Sequence, residues 1–527
     1  MTEEGWRRKP VTDLWLSSVI DIVHDVAMDR RTFLKTVSGL SASAFLAPAE
    51  LIAGVPARRG PRPNFLVVVA DDQCYRTINS LNNSEVLTPN FDRLLKRGTT
   101  FTHCFHQGSW TGAVCVASRA MMHTGRYVWT CGGDRCGTYP LLGETLQKNG
   151  YHTCAVGKWH NGDATALRSF ITGKTIGPGF YASTPMDGLA YDRPRPGDPW
   201  TAWDPKYRGH WTPYSLWNIQ KGPDGRRQAS PRYKRRRHSC DLYANSAVEM
   251  LGELTAQRQN PFFLYVAWNS PHDPRQAPKE LLDLYPAGKI QVPPNFLPEH
   301  PFDPGAERDE ALAPFPRTPD AVRVHRREYY ALITYMDRQM GRIMDALDQS
   351  GQADNTYIVV TGDHGLAVGE HGLMGKQNLY DCSVRMPFIM AGPGIQAGRR
   401  IDAMMYQHSL FPTLCDLAQI PVPATVQFPS LTPLLRGERS RLFDSMYCAY
   451  KRFQRSARTD THKLILHPET KQVELFDIVN DPWEMKNLAG DPACSSLKSE
   501  LFRELAKWQQ TVSDKVVLDA ASFGIRV

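Results

Sequence analysis

The sequence predicts an α/β protein with a large, mostly parallel sheet flanked by helices and a small C-terminal subdomain of antiparallel sheet and helix. Three observations predict this fold. Short apolar runs stop abruptly at polar residues, amphipathic segments lie between them, and shorter strand-like pieces replace this pattern after about residue 435. Buried parallel strands are near-continuous apolar runs, and their alternation with helices is the order of an α/β domain.

Five apolar runs are the candidate strands of the large sheet. They span residues 65–70, 153–156, 262–268, 357–362 and 387–391. Four of these runs are followed within four residues by charged or imidazole side chains. Ligands bind beyond the carboxyl ends of the strands in open parallel sheets. We therefore expect the polar groups that follow these strands to meet at one site.

Amphipathic patterns between the runs indicate the helices. They span residues 89–97, 141–148, 242–254 and 329–347, and the last has apolar residues at helical spacing. The stretch 192–239, rich in Pro, Gly and Arg, predicts a long loop or insertion.

The C-terminal part has a different pattern. Residues 463–466 and 473–476 resemble short strands, and residues 496–512 a closing helix. We therefore divide the chain into an N-terminal segment (1–60), a large α/β domain (61–435) and a C-terminal subdomain (436–527).

The N-terminal segment indicates export of the twin-arginine type. Arg30 and Arg31 precede a moderately apolar stretch, residues 36–53, which serines, a proline and a glutamate interrupt. This stretch is too short and too polar to span a bilayer, so the signal predicts a periplasmic or secreted protein with no stable membrane anchor. The lead-in before Met28 is unusually long, which makes Met28 an alternative start. A surface helix with a chance arginine pair is the alternative interpretation.

Composition limits the function classes. The 527 residues are 42% hydrophobic and 22% charged, as in ordinary globular proteins, and the formal charge is +8. That charge suits an anionic substrate or a nucleic acid, but no zinc-finger spacing, RNA-binding signature or basic helix with heptads supports the latter. The basic run 232–237 is interpreted as a solvated face, with a rim that attracts a polyanion as the alternative.

Cysteine usage adds a further limit. The 11 cysteines are odd in number, form no recognisable disulfide framework and include no C-x-x-C pair. A structural zinc site is therefore not expected.

Acidic residues follow two of the candidate strands. Asp71 and Asp72 come directly after the run 65–70, and Asp363 with His364 follows the run 357–362. Acids delivered from two strand ends can assemble an oxygen-rich site for a hard divalent cation such as calcium or magnesium. Capping of helices and turns is the alternative for either pair alone.

Cys115 begins the sequence Cys-Val-Ala-Ser-Arg, which continues through residues 120–126 as Ala-Met-Met-His-Thr-Gly-Arg. This segment resembles the signature of the sulfatase family, in which the cysteine is oxidised to formylglycine. Further matches occur in family order at residues 87–92, 157–160, 270–272, 361–365, 474–477 and 480–482. The most common motif has Pro where Ala117 stands, which leaves open which maturation enzyme acts on this chain.

The resemblance implies an alkaline phosphatase-like fold and one metal site. Its ligands would be Asp71, Asp72, Asp363, His364 and the formylglycine oxygen at the position of Cys115. The resemblance implies Ca²⁺. Many relatives have Asn where His364 stands, and an imidazole is a softer ligand than calcium usually takes, so Mg²⁺ stays open.

The resemblance also implies the catalytic roles. Arg119 would orient the formylglycine, Lys158 and Lys376 would bind sulfate oxygens, His160 would hold or deprotonate the hydrate, and His272 would donate a proton to the leaving oxygen. Trp110, Arg126, Arg275 and His371 are weaker candidates for contact with the substrate.

The chemistry of sulfate esters explains these residue types. The ester is anionic and resists attack by another anion, so cations, an activated oxygen nucleophile and an acid are needed. An aldehyde hydrate has two hydroxyls: one accepts the sulfuryl group, and the other loses its proton and expels sulfate as the carbonyl re-forms. The resemblance therefore implies a sulfatase with a formylglycine-generating enzyme as a partner. The export signal predicts the twin-arginine machinery as a second partner. Because an exported enzyme with a basic surface meets polymers outside the cytoplasm, we expect its substrate to be a sulfated carbohydrate.

Two alternatives stay open at this point. One is a formylglycine-dependent phosphonate or phosphodiester hydrolase, because such enzymes share the strand-end arrangement. The other is a catalytically silent carbohydrate-binding relative in which Cys115 remains a thiol.

Overall fold

The computed structural model describes residues 61–179, 190–197, 200–257, 260–302 and 307–526. The twin-arginine segment lies outside these residues. Among the helices of the described ranges, none has both the length and the apolar character needed to cross a membrane.

The described residues form two sheets of eleven and five strands. The strands are β1 (Asn64–Ala70), β2 (Thr99–Phe105), β3 (Gly108–Ser109), β4 (His152–Lys158), β5 (Thr172–Gly177), β6 (Trp217–Lys221), β7 (Arg227–Ala229), β8 (Phe262–Ala267), β9 (Thr356–Gly362), β10 (Arg385–Ala391), β11 (Arg399–Ile401), β12 (Met405–Tyr406), β13 (Met446–Tyr450), β14 (Gln454–Arg458), β15 (His462–His467) and β16 (Gln472–Asp477).

Helices cover both faces of the larger sheet and one face of the smaller sheet. They are α1 (Asn79–Asn82), α2 (Pro89–Arg97), α3 (Val114–Thr124), α4 (Leu142–Lys148), α5 (Asp163–Ser169), α6 (Ser239–Gln257), α7 (Lys279–Leu282), α8 (Pro319–Gln349), α9 (Asp381–Val384), α10 (Leu410–Ala418), α11 (Thr432–Leu435) and α12 (Ser495–Val512).

The larger sheet has the order β11-β2-β10-β9-β1-β8-β4-β5-β6-β7, with β12 beside β2. The strands from β9 to β5 are parallel, whereas β10 runs antiparallel to β9. The prediction of an α/β fold with a mostly parallel sheet is confirmed, and the five predicted strands correspond to β1, β4, β8, β9 and β10.

Two apolar cores cover the two faces of this sheet. Successive residues of β1 alternate between them: Leu66 and Val68 belong to one core, and Phe65, Val67 and Val69 to the other. Every residue of β1 is buried, which is the reason that the strand is an unbroken apolar run without polar alternation.

The stretch 192–239 is more ordered than the predicted loop. It carries β6 and β7, which extend the sheet beyond β5 as antiparallel strands. Within it, Trp217 and Ile219 alternate with Asn218 and Gln220 over β6, but this alternation spans only five residues of a stretch rich in Pro, Gly and Arg, and the prediction missed it.

The smaller sheet joins the C-terminal part of the chain to an early segment. Its order is β16-β15-β14-β13-β3, and α12 packs on it through Leu501, Leu505 and Val512. Strand β3 pairs with β13 through Gly108 and Ala449. Gly108 has φ +93°, and a Cβ there would lie 1.8 Å from the Ala449 carbonyl oxygen, so this close approach requires glycine. The antiparallel sheet near the C-terminus thus includes a strand just before Cys115.

Candidate active site

The register of the large sheet brings its terminal acids together. Ala70 at the end of β1 pairs with Gly362 at the end of β9, so Asp71 and Asp363 leave the sheet side by side. The backbone turns at Asp72, which has φ 68°, and the Asp72 N–H donates to Asp363 Oδ1 at 3.3 Å. Asp71, Asp72 and Asp363 are completely buried.

Four side chains form a compact group of potential metal ligands. One ligand atom each from Asp71, Cys115, Asp363 and His364 lies within 4.8 Å of the others. His364 Nε2 is 3.5 Å from Asp363 Oδ1 and 3.8 Å from Asp71 Oδ1. Asp72 approaches the same group, with its Oδ1 3.3 Å from His364 Nδ1. The structure therefore brings four of the five predicted ligand residues into one group, and the fifth, Asp72, lies beside it and also forms a second group of potential ligands with His272 and Asp273.

Several polar atoms of this group lack a hydrogen-bond partner among the described residues. Asp71 Oδ1, Asp72 Oδ2 and His364 Nε2 are buried and without such a partner. Buried polar atoms of this kind are rare and costly, and a bound ion is one of their common explanations. Three carboxylates and an imidazole are a donor set that fits a divalent cation.

The acids carry closely spaced charge. Burial and the neighbouring Asp363 raise the pKa of Asp71 well above its usual value. Burial acts in the same direction on Asp363, but His364 and Arg119 outweigh it and lower the pKa of Asp363. His364 has a pKa of about 9: burial opposes its charge, and the nearby Asp363 and Cys115 favour it. A positive charge is therefore favoured at the centre of this group.

Cys115 is the second residue of α3 and is 3% exposed. Its Sγ lies 3.2 Å from Nδ1 of His160. Burial disfavours a thiolate, but Lys158 and His160 outweigh it and hold the pKa of the Cys115 thiol well below its usual value. The first turn of an α-helix also favours an anion. This position therefore stabilises negative charge on the atom at the end of the side chain.

Three cations surround the group. Arg119 Nε donates to Asp363 Oδ2 at 2.9 Å, Lys376 Nζ donates to Asp72 Oδ1 at 2.7 Å, and Lys158 Nζ donates to Asp71. All three cations are buried. Lys158 is at the last position of β4, where Gly157 has φ +87° and a Cβ would lie 1.9 Å from the Ala267 carbonyl oxygen. The glycine lets β4 pass close to β8 and carry the lysine to the site.

His272 lies on the other side of Asp72. Its Nε2 is 3.9 Å from Asp72 Oδ2, and its Nδ1 is 2.8 Å from the Asp273 carbonyl oxygen. Burial, Lys376 and Arg308 lower the pKa of His272 well below its usual value. A carbonyl oxygen only accepts, so Nδ1 carries a proton here, and His272 acts as an acid only when Nε2 is protonated as well.

The four weaker candidates are engaged elsewhere. Arg126 donates to the Thr130 and Thr425 carbonyls, Arg275 contacts His325, His371 stacks on Tyr380, and the Trp110 indole donates to Asp134. Nothing in these contacts brings them to the acids and lysines of the site.

The sequence interpretation missed several residues that support the site. Ser118 Oγ and Gln407 Nε2 both donate to the Asp363 carbonyl, at 2.6 and 2.9 Å. Tyr265 Oη accepts from Arg119 at 3.0 Å, and Asp309 Oδ2 lies 3.9 Å from Lys376 Nζ. Asp309 belongs to a short helical turn with no apolar run before it, so only the folded structure identifies it.

Comparison with known proteins gives matches over nearly the whole described chain. A family model described as Sulfatase matches residues 63–420, and one described as N-sulphoglucosamine sulphohydrolase, C-terminal, matches residues 369–511. The chain is 25% identical to an N-acetylglucosamine-6-O-sulfatase of Bacteroides thetaiotaomicron over 95% of this chain and 94% of that protein.

Solved structures share the fold. One, a protein in complex with its substrate D-glucosamine-2-N,6-O-disulfate, has a TM-score of 0.68 at 22% identity and covers 86% of this chain and 99% of that chain. A phosphonate monoester hydrolase from Silicibacter pomeroyi has a TM-score of 0.66 at 21% identity and covers 86% and 96%. At such identities, the structural likeness shows the fold alone.

Proposed function

The chain belongs to the sulfatase family, and from this premise we propose that it is a sulfuric ester hydrolase that acts on a sulfated carbohydrate through Cys115. One observation carries the proposal. Cys115 lies in the first turn of α3 beside His160, in a buried group of acids that two lysines flank. This arrangement combines a nucleophile position, a metal-binding group and cations for an anionic ester.

In the proposed enzyme, Cys115 Sγ marks the position of the oxygens of a formylglycine hydrate. A formylglycine-generating enzyme would be the maturation partner. His160 Nδ1, 3.2 Å from Sγ, is close enough to hold or deprotonate a hydroxyl at this position. The cationic surroundings that lower the pKa of the thiol would also favour an oxyanion there.

Asp71, Asp72, Asp363 and His364 would hold one divalent metal together with the residue at position 115. When bound, that metal would polarise a sulfuryl oxygen and favour a deprotonated nucleophile. We propose Ca²⁺ because three of the four side chains are carboxylates, with Mg²⁺ as the alternative. Arg119 keeps Asp363 ionised and oriented through its 2.9 Å hydrogen bond.

Lys158 and Lys376 would bind the sulfate oxygens. Each already contacts an aspartate of the site, so their charges are held at the metal-binding group. A bound sulfate ester adds negative charge beside His272, which favours the second proton on its Nε2. His272 would then donate that proton to the leaving oxygen.

The substrate class follows from the relatives. An N-acetylglucosamine-6-O-sulfatase is similar over nearly the whole chain, and the family model for the C-terminal part is named for a sulfated glucosamine. We therefore propose a sulfated sugar, alone or in a polymer. Arg30 and Arg31 of the export motif support a periplasmic or secreted location, where such polymers occur.

The test combines mass spectrometry with turnover. The chain is produced with a formylglycine-generating enzyme, and the peptide that contains residue 115 is weighed. We expect formylglycine at position 115 and faster hydrolysis of 4-nitrophenyl sulfate than of 4-nitrophenyl phosphate or a phenylphosphonate ester. Active protein with an intact thiol contradicts the nucleophile, and faster phosphonate cleavage contradicts the reaction.

A matched pair of cysteine variants separates chemistry from folding. Cys115→Ala should lower kcat/KM for the aryl sulfate by at least about 10³-fold, because it removes the nucleophile. Cys494→Ser, at a half-buried cysteine of the C-terminal subdomain, should keep parental turnover. Full activity in Cys115→Ala would overturn the proposal.

A further inference from the structure

A cavity of about 820 Å³ lies where the basic run 232–237 folds against residues 205–214. We call it the basic cavity. Four of its cations are Arg208, Lys234, Arg236 and Arg237. The residues that hold the proposed nucleophile and metal do not line it. The basic run that the sequence assigned to a solvated face therefore forms one wall of a defined cavity.

These four cations are exposed and form no ion pair with the residues that the structure describes. A fifth cation of the lining, Lys206, is paired with Asp204 at 3.0 Å. The acid of the lining, Asp241, accepts a hydrogen bond from Tyr335 at 2.7 Å. Like charges around one cavity repel each other, and a polyanion that enters the cavity is attracted by all four cations.

Two aromatic side chains complete the lining. Trp211 and Tyr214 are half-buried at the cavity. Trp211 is held in place because its indole N–H donates to the Ala202 carbonyl at 3.1 Å and its ring packs edge-on against His238. A fixed aromatic face supplies apolar contact for the C–H side of a sugar ring, and the surrounding cations bind its anionic substituents.

Hydrogen bonds join the wall of this cavity to the loop that carries His272. Nε2 of His238, a lining residue, is 3.0 Å from the Gln276 carbonyl oxygen. His210, beside Trp211, has its Nε2 3.0 Å from the His272 carbonyl oxygen. The basic cavity and the proposed proton donor therefore belong to one connected part of the structure.

We propose that the basic cavity binds a second anionic unit of the same sulfated polysaccharide whose ester is cleaved at Cys115. This proposal rests on the proposed function for the identity of the polymer. A chain with repeated sulfates presents further anions beside the ester that is cleaved. Lys234 and the three arginines would bind these anions, and Trp211 and Tyr214 would contact the sugar rings.

The test measures binding without turnover in the full-length Cys115→Ala protein. The probe is a fluorescently labelled heparin hexasaccharide, and its desulfated, N-acetylated form, which keeps only the carboxylates, is the counterpart of lower charge. We expect Arg236→Gln/Arg237→Gln to weaken binding of the sulfated probe by about tenfold. The double substitution removes two exposed cations, and each contributes a modest part of the binding free energy.

A second pair of substitutions controls for net charge. Lys221→Gln/Arg226→Gln removes the same charge from exposed positions outside the cavity and should change the affinity less than about twofold. Equal weakening by both pairs, or none by Arg236→Gln/Arg237→Gln, overturns the proposal. Equally tight binding of a single-stranded DNA hexanucleotide, with the same loss in the variant, also overturns it in favour of a general polyanion surface.

Because the binding assay needs no catalysis, its outcome is separate from that of the proposed function. A chain that fails to hydrolyse sulfate esters and still binds the sulfated probe through Arg236 and Arg237 contradicts only the reaction. A chain that hydrolyses them and binds without these arginines contradicts only the second site.

Discussion

Two buried charge clusters in this molecule differ in whether their acids are fully paired. In the first, the candidate active site, Asp71 Oδ1 and Asp72 Oδ2 have no hydrogen-bond partner among the described residues. The second, which we call the seam cluster, comprises Asp381, Arg385, Arg458, Lys463 and Glu484, where α9 and β10 meet the smaller sheet. Asp381 Oδ1 accepts from Arg458 and Lys463, Oδ2 contacts Arg385, and both Glu484 oxygens are used.

Burial of charge is common to both clusters, so it does not by itself indicate function. The clusters differ in whether their carboxylate oxygens all have hydrogen-bond or ion-pair partners. A buried ion pair that is fully satisfied is structural, and removing one partner is strongly destabilising. Acids that keep free, converging oxygens indicate a ligand instead. We therefore expect substitutions in the two clusters to have opposite consequences.

The largest contrast should come from one conservative substitution in each cluster. Asp72→Asn removes a proposed metal ligand, and we expect kcat/KM for an aryl sulfate to fall by about 10³-fold. Lys376 keeps Asp309 as a second counter-charge at 3.9 Å, so the free energy of unfolding should change little. Enzyme kinetics and urea unfolding of the same preparations measure both quantities.

Asp381→Asn should show the reverse. It leaves Arg458 and Lys463 buried with too little negative charge, and we expect a loss of about 3 kcal/mol in the free energy of unfolding. Turnover per folded molecule should stay near that of the parent. If Asp72→Asn is the more destabilising variant, or if Asp381→Asn is folded but inactive, the assignment of a functional and a structural cluster is wrong.

Removal of metal should affect the candidate active site reversibly and leave the seam cluster unaffected. Prolonged dialysis against EDTA should abolish aryl sulfate turnover, and Ca²⁺ or Mg²⁺ should restore it. Added metal should also raise the melting temperature of the metal-free parent in a concentration-dependent way, because it binds only the folded chain. Asp381→Asn should keep this dependence and Asp72→Asn should lose most of it. Full activity in the metal-free protein contradicts the metal site.

Substitution of His364 should show what the metal requires of this position. His364→Asn keeps a polar ligand, whereas His364→Ala removes it. We expect His364→Ala to need about 10- to 100-fold more metal for half-maximal activity, and His364→Asn to stay within about tenfold of the parent. Titration of each metal-free variant with Ca²⁺ and with Mg²⁺ measures this. If both variants needed no more metal than the parent, His364 would not be a ligand.

The smallest expected effect is the pH dependence of the seam cluster. Burial opposes the charge of Asp381, but Arg458 and Lys463 outweigh it and lower its pKa well below the usual value. A lowered pKa in the folded state stabilises the protein at neutral pH, and this stabilisation is lost as the pH falls below about 4, the usual value. Burial raises the pKa of Glu484, and this residue is the same in the parent and in Asp381→Asn.

We therefore expect the difference in unfolding free energy between parent and Asp381→Asn to stay constant down to about pH 4 and to shrink as the pH falls below it. Asp444→Asn, at an exposed acid paired with Arg441, should show only a small difference throughout. A parent-to-variant difference that stays constant below about pH 4 contradicts the assignment. Urea unfolding at several pH values measures it.

The sequence predicted the strands and their terminal acids because both obey local rules. β1 and β9 are apolar runs that stop at Asp71 and Asp363, and parallel pairing brings such ends together. The roles of Lys376 and His272 came only from resemblance to a family, since neither follows from periodicity. Their positions as catalytic groups stay predictions until variants are measured.

Other features depend on tertiary contacts that no local pattern encodes. β3 is two residues long and exists because Gly108 can approach Ala449. Asp309 reaches Lys376 from a turn that follows no strand. The basic cavity requires residues 205–214 to fold against the run 232–237, and only the charge of that run could be predicted from the sequence.

The pairing of β3 with β13 also bears on when the proposed oxidation of Cys115 could take place. The cysteine is 3% exposed in the folded chain. Gly108, in the segment before its helix, pairs with Ala449, which is synthesised far later. At ordinary rates of translation, that interval is on the order of tens of seconds. During it, the cysteine can reach a modifying enzyme as part of a nascent chain. Once β13 is in place, the segment before this helix is held in the sheet and Cys115 is buried, so the proposed oxidation of Cys115 would have to come before the fold is complete.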